Sequence, residues 1–343
     1  METRLLRGEQ ERDLQEAARL LRAGETVAFP TETVYGLGAN ALDADAARKI
    51  YAAKGRPSDN PLIVHIYDRA QLEMLTDQIS ETAEKLMDAF WPGPLTIIFH
   101  RRPGAVPDCV TGGLDTVAVR MPNHPVALRL LRMADLPIAA PSANLSGKPS
   151  PTAVSHVEHD LSGRIAAIVS GGSCAVGVES TVLDVSGNAP VILRPGGITR
   201  EQLEAVTSEP VIYATPHGST VETPRAPGMK YTHYAPEAPV YICTGTPEEI
   251  AEKIDHRLEV HKGRAGVMLS RQTLRLLQNA DENLVVNLGS RDDLKQIACN
   301  LFAALRYFDD SDVEAIYTED FPAEHIGVAL MNRLDKAAGS KKI

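Results

Sequence analysis

Between residues 208 and 239 the chain carries six prolines, Pro210, Pro216, Pro224, Pro227, Pro236 and Pro239, and no apolar period is sustained. A stretch this long without a period of its own reads as a linker or a functional lid rather than as part of a packed layer. The sequences on either side are strongly patterned, so each must build its own core. The 343 residues suit about two domains at roughly 150 residues each. With 43% of residues hydrophobic, there is enough apolar material for both. The expected division is 1–207 as a first domain, 208–238 as a Pro-rich linker or lid, and 239–343 as a small second domain.

In the first part, residues 9–23 read as an amphipathic helix, with Leu14, Ala17, Ala18 and Leu21 on one face and Gly24 just beyond its end. Strand patterns follow at 26–29, 62–66, 95–99, 116–120, 138–140, 167–169, 181–185 and 191–193. Helices are expected at 44–53, 125–134, 152–159 and 199–206, and another where Ile79, Ala83, Leu86, Met87 and Phe90 recur before Trp91-Pro92-Gly93-Pro94 stops it. Strands outnumber helices, which favours a twisted, mixed α/β sheet over a regular doubly wound one. After the Pro-rich stretch the pattern is regular: strand 240–243, helix 247–259, strand 265–269, helix 271–278, strand 284–288, helix 291–308, strand 313–317 and helix 326–338. Such alternation predicts a small Rossmann-like, parallel, three-layer α/β domain.

The formal net charge of -10 argues against a protein that works by tight, general binding to nucleic-acid backbones. Four cysteines, Cys109, Cys174, Cys243 and Cys299, make no CxxC pair and no zinc-ligand spacing, which suits a reducing compartment. The charged N-terminus lacks an apolar h-region, and no run approaches the ~18 apolar residues of a membrane helix. The expectation is a cytoplasmic enzyme with no membrane association.

The densest chemistry lies in the first 200 residues. The segment PTETVYGLG, residues 30–38, follows a strand and offers threonine hydroxyls and backbone amides to a polar small molecule. Gly36 to Ala41 also matches GxGxxA, but no clean β-turn-α unit or well-placed acid surrounds it, so a dinucleotide fingerprint is not supported. Lys54-Gly55-Arg56-Pro57-Ser58-Asp59-Asn60-Pro61 sets two cations beside Ser and Asn in a loop stiffened by prolines. It reads equally as a solvated surface or as an anion site suited to a polyphosphate. His65, on a strand, reads as structural when taken alone. Arg120 ends an apolar strand and needs an anionic partner, either a protein carboxylate or a substrate carboxylate or phosphate. Residues 140–147, APSANLSG, gather small donors where a strand ends, as a ligand site or a capping turn. Arg194 closes another strand. Four cations at element ends, Lys54, Arg56, Arg120 and Arg194, beside Ser, Thr and Asn, point to an anionic ligand carrying several charges. There is no Walker A pattern, kinase signature, GxSxG elbow, acid/base dyad or metal cluster. The constellation indicates binding and positioning without a covalent nucleophile.

Seven segments in order, FPTETVYGLG, KGRPSDNPL, FWPGPLT, TVAVRMP, APSANLSG, GVESTVLD and LRPGGIT, closely resemble the YrdC-like threonylcarbamoyl-AMP synthase family over about residues 14–206. The KYTHYAP segment at 230–236, followed by a small α/β domain, resembles the family's long two-domain form. The resemblance implies a YrdC-like α/β fold with a deep, positively lined cavity. It implies formation of threonylcarbamoyl-AMP and pyrophosphate from L-threonine, bicarbonate and ATP for N6-threonylcarbamoyladenosine modification of tRNA, with the adenylate handed to a tRNA threonylcarbamoyl-transferring enzyme. Thr33, His65, Arg120, Ser180 and the backbone at Ala140 are then expected at L-threonine. Arg56, Asn60, Thr116, Ser142, Ser150, Arg194 and Tyr234 are expected at ATP. Lys54 and Arg56 are expected as catalytic cations, Mg2+ arrives with ATP, and no organic cofactor is implied.

Such a reaction needs alignment and charge neutralisation more than covalent catalysis, and a closed site, since a carbamate decarboxylates readily in water. Two alternatives stand beside it. One is a non-catalytic RNA-binding or ribosome-maturation module, disfavoured by the acidity and by the lack of basic-aromatic interleaving. The other is a related enzyme that adenylates the carbamate of another amine, or carbamoyl phosphate.

Overall fold

The structure, a computed structural model, describes residues 2–187, 189–214, 224–227 and 234–343. Much of the expected linker, at 215–223 and 228–233, lies outside the described residues, as do Lys230 to His233 of the KYTHYAP segment. The chain divides into two compact units. Met1–Ser146, Ser150–Ala175 and Glu179–Lys230 form the first, and Gly147–Pro149, Val176–Val178 and Tyr231–Ile343 form the second.

In the first unit the order is β1 (Arg4–Arg7), α1 (Glu11–Arg22), β2 (Val27–Phe29), β3 (Gly36–Asn40), α2 (Ala44–Lys54), β4 (Ile63–His65), α3 (Glu81–Phe90), β5 (Leu95–His100), α4 (Asp108–Thr111), β6 (Thr116–Arg120), α5 (Pro125–Ala134), β7 (Ile138–Ala139), α6 (Val154–Leu161), β8 (Ala167–Ser170), β9 (Thr181–Asp184), β10 (Val191–Arg194), α7 (Arg200–Thr207) and β11 (Ile212–Tyr213). The helices start and stop where their chemistry directs. Asp43 caps α2 by accepting from the amides of Asp45 and Ala46, and Thr199 with Gln202 forms a capping box on α7. All the strands join one mixed, 11-stranded sheet in the order β1-β8-β2-β3-β7-β4-β6-β5-β9-β10-β11. In α1, Leu14, Ala17, Ala18, Leu20 and Leu21 are buried in a core shared with Phe29, Leu130 and Val169. A larger core gathers Leu37, Ile50, Val64, Leu86, Ile97 and Val119.

Three strands lie where the sequence pattern did not indicate them. β1 buries only Leu6, so it shows no alternation, and it holds its place through parallel pairing with β8. β11 opens the stretch expected to be a linker and pairs in parallel with β10, Ile212 opposite Val191. β3 is the glycine-rich GLGAN segment, paired antiparallel to β2 and bridged to β7. A Cβ on Gly38 would stand 2.7 Å from the Phe29 ring and 2.8 Å from Ile138 Cγ2, so close packing inside the sheet, not phosphate binding, demands that glycine.

The second unit contains β12 (Val240–Cys243), α8 (Pro247–His261), β13 (Ala265–Ser270), α9 (Arg271–Leu274), β14 (Val285–Gly289), α10 (Leu294–Tyr307), β15 (Ala315–Glu319) and α11 (Ile326–Ala338). Its four strands are all parallel, in the order β12-β15-β13-β14. Ile250, Ile254 and Leu258 of α8 pack with Ala265, Val267, Leu269 and Tyr317 on one face. The alternate residues Val240, Ile242, Met268 and Ile316 are also buried, so both faces are covered, as a parallel sheet requires. The helix expected at 271–278 shortens to one turn, α9, and β14 starts at Val285. No helix among the described residues is long and apolar enough to cross a membrane.

Candidate functional site

The centre of the first unit's sheet sets up a polar row by strand register alone. His65 of β4 lies opposite Arg120 of β6, and Arg120 lies opposite Thr96 of β5. Side chains alternate between faces along a strand, so these three share the face that also carries Ile63, Ala118 and Ile98. The latter form an apolar patch with Val182, Leu193 and Ala226. Thr116, four residues before Arg120, lies on the same face. Ala226 belongs to the Pro-rich stretch and is fully buried against this patch, while its neighbour Arg225 pairs with Asp184. One described piece of the expected lid therefore rests on the face that holds the polar row.

Arg120 is almost wholly buried, and its guanidinium is held from three sides. Nε donates to Gly93 O at 3.2 Å, Nη1 donates to Thr33 Oγ1 at 2.9 Å, and Nη2 lies 2.7 Å from Glu32 Oε1. The last contact is an ion pair of oblique geometry, since neither Glu32 oxygen is aligned as a hydrogen-bond acceptor. Thr33 also meets Thr31, with the two hydroxyls 2.9 Å apart, and Thr31 donates to Val34 O. Burial, and then the Arg120 charge beside it, push the pKa of His65 down to about 3. The ring is therefore neutral near pH 7, with Nδ1 3.2 Å from Ile63 O. The Ile138 carbonyl acts on the ring as well, so two backbone acceptors face this imidazole.

On the other side of the row Thr96 Oγ1 and Ser180 Oγ are 2.8 Å apart. Arg194, at the end of β10, donates through Nε and Nη2 to Ser180 O at 3.2 and 2.9 Å and through Nη2 to Ser180 Oγ at 3.2 Å. Beside it, Ser150 Oγ donates to Glu179 Oε1 at 2.6 Å, both groups buried. Ser180 thus joins residues expected at the amino acid to residues expected at the nucleotide.

The Lys54 ammonium is buried at the end of α2. It donates to Ser142 O at 2.5 Å and to Asn144 O, with Asn144 Oδ1 at 3.4 Å. Ser142 Oγ donates to Asn144 Oδ1 at 2.5 Å. The lysine therefore clasps the 142–144 turn. Arg56 folds over its own loop, to Asn60 O at 3.4 Å and Pro61 O at 3.1 Å. Asn60 is buried, and its amide oxygen meets no hydrogen-bond donor. Ala140 gives its amide to Ile63 O at 2.8 Å, tying the 140–144 turn to β4.

The structure therefore links Thr33, His65, Arg120 and Ser180 around one sheet position, Lys54 with Ser142, and Arg56 with Asn60. Thr116 shares the face of Arg120. Tyr234 belongs to the second unit, where its ring centroid is 5.1 Å from that of Phe302 and Arg333 lies over it at 5.6 Å. Sequence reasoning missed Glu32, Thr96 and Glu179. Each lies inside a segment the sequence singles out, but only strand pairing and loop path reveal that they touch the row. Among the described residues no group of three or more His, Cys, Asp or Glu side chains is placed to hold a metal ion.

Comparison with known proteins shows which chains this one is similar to. A Sua5/YciO/YrdC family model, described as telomere recombination, matches residues 19–196, and a threonylcarbamoyl-AMP synthase C-terminal domain model matches 198–339. The chain is 55% identical over 332 residues to a threonylcarbamoyl-AMP synthase of Bacillus subtilis, covering 96% of this chain and 94% of that protein. It is 49% identical over 330 residues to one of Pyrococcus abyssi, covering 95% and 94%. The crystal structure of P. abyssi Sua5 complexed with L-threonine superposes with a TM-score of 0.91 at 46% identity, covering 100% of this chain and 99% of that one.

Proposed function

The chain belongs to the Sua5/YrdC family of threonylcarbamoyl-AMP synthases, in the two-domain form, and on that premise we propose how its residues condense L-threonine, bicarbonate and ATP. The threonine amine and bicarbonate first give a carbamate and water. A carbamate oxygen then attacks the α-phosphorus, the bond to the β-phosphate oxygen breaks, and pyrophosphate leaves. The adenylate passes to a tRNA-modifying transferase in the cytoplasm.

The polar row carries this reading. Arg120, preset by Gly93 and Thr33, receives the threonine carboxylate. Neutral His65 and the hydroxyls of Thr33 and Ser180 read the amine and hydroxyl side, with the backbone at Ala140 completing the contact. Arg56, Asn60, Thr116, Ser142, Ser150 and Arg194 hold the nucleotide, and the unmet Asn60 oxygen supports a ligand there. Lys54 supplies positive charge while fixing the 142–144 turn. Arg56 and Arg194 neutralise charge as pyrophosphate departs. Mg2+ enters as part of the nucleotide substrate. Side-chain oxygens of the Ser, Thr and Asn residues of this set would hold it, and it would supply charge neutralisation at the phosphates. The site lies on this sheet face, against which Ala226 of the Pro-rich stretch is seated. A closed site excludes water and so protects the carbamate.

Pyrophosphate release from ATP that requires both L-threonine and bicarbonate, with threonylcarbamoyl-AMP identified by mass, is the expected result. Removing one charged phosphate contact costs about 2–4 kcal/mol in the transition state, so Arg56→Ala should slow release by roughly one and a half to three orders of magnitude. Unchanged release in that variant would overturn the assignment.

A further inference from the structure

One stripe of α10 in the second unit touches three segments that are far apart in sequence. Ala298 packs with Val178, which is fully buried there together with Ile326 and Ala329. Cys299 lies under Gly177, where a Cβ would stand 2.2 Å from Cys299 Cα and 2.6 Å from its carbonyl oxygen, and Gly177 has φ +73. The Phe302 ring centroid is 5.1 Å from that of Tyr234. Arg306, buried, donates through Nε and Nη2 to Pro149 O at 3.1 and 2.5 Å. Positions 298, 299, 302 and 306 recur on one side of a helix. Just past the helix, Asp309 lies 3.3 Å from Lys148 Nζ and accepts from the amide of Glu237 at 2.8 Å, while Lys148 pairs with Glu237 at 2.9 Å and the Ala235 amide donates to Gly147 O at 3.0 Å.

Two of these segments lead directly into chemistry. Pro149 precedes Ser150, and Val178 precedes Glu179 and Ser180. Ser150 and Glu179 are hydrogen-bonded to each other, so the two held segments continue into one closed contact. Loops containing Gly147, Pro149 and Gly177 have no periodic structure of their own, and each residue fixed costs conformational entropy that must be met on folding or on binding.

We propose that α10 is the template that sets the positions of the 147–149 and 176–178 segments, and through them of the hydrogen-bonded pair Ser150 and Glu179. Arg306 is the positioning residue for the nucleotide side. The ordering of these loops is met when the second unit folds, not when ATP binds, which is how preorganisation raises affinity. This gives the C-terminal α/β unit a role in the reaction without a ligand of its own. The inference rests on the functional reading above.

The test uses the full-length chain and measures KM for ATP and for L-threonine separately by pyrophosphate release. Loss of the charge-assisted grip on Pro149 in Arg306→Ala should raise KM for ATP by about five- to tenfold with KM for L-threonine little changed. Arg306→Lys, which keeps one donor, should recover most of the loss. Should Arg306→Ala fail to fold by circular dichroism, the same split is read in the partly exposed Lys148→Ala, with a smaller rise in KM for ATP of roughly two- to threefold. A folded variant with unchanged KM for ATP, or with equal rises for both substrates, overturns the template. A wild-type chain that releases no bicarbonate-dependent pyrophosphate instead overturns the functional reading.

Discussion

Arg120 Nη2 and Glu32 Oε1 lie 2.7 Å apart with both side chains about nine-tenths or more buried. Two consequences separate when Arg120 is removed. Arg120→Ala leaves a buried carboxylate without its counter-charge, and breaking one partner of such a pair costs about 3–5 kcal/mol of folding stability. The same change removes the group proposed to receive the threonine carboxylate. Urea unfolding should show the loss of stability, and the double variant Arg120→Ala/Glu32→Gln should regain part of it while remaining unable to bind L-threonine. Stability unchanged in the single variant would show that the pair is not energetically coupled.

His65 predicts a specific acid sensitivity. Its pKa is near 6.5 in an unfolded chain and is depressed to about 3 in the folded one, first by burial and then by Arg120. Between those values the unfolded state binds the extra proton, so stability is full above about pH 6.5 and falls as pH drops toward the folded value. Substituting His65→Gln removes this group from the linkage. The loss of stability between pH 7 and pH 5, read from urea midpoints, should be smaller in the variant than in the wild type. An identical pH dependence in both would assign the acid sensitivity to other groups.

Thr96→Val keeps the shape of the side chain and deletes the hydroxyl that meets Ser180. A hydrogen bond of this kind contributes about 1 kcal/mol, so KM for L-threonine should rise roughly fivefold while KM for ATP stays near its original value. A change confined to ATP would move Ser180 to the nucleotide.

The elements with strong periodicity were legible in the sequence. Residues 9–23 gave a helix that closes at Glu11–Arg22, and 116–120 gave the strand that carries Arg120. The alternation after residue 240 gave an all-parallel four-stranded sheet. β3 was not legible because two of its five residues are glycine, and what makes them tolerable, the Phe29 ring and Ile138, comes from other strands. For β1 and β11 pairing supplies what propensity does not. The cations of the site could be picked out singly, each open to a bland reading. Residue chemistry allowed Arg120 a protein carboxylate or a substrate one, and the structure supplies the first through Glu32 while the proposed function adds the second. Glu32 and Thr96 escaped notice because their partners are set by loop path and strand register, which no local window contains.

Register also makes the polar row a matter of parity. His65, Arg120 and Thr96 face the same way because their strands are aligned residue against residue. A one-residue deletion within β6 ahead of Val119 would turn Arg120 into the apolar layer and bring Val119 to the substrates, exchanging inward and outward side chains beyond the deletion at once. Small insertions and deletions in β4, β5 and β6 should therefore act as on–off events, never as partial losses. In this part of the sheet, evolution can alter residues but not count.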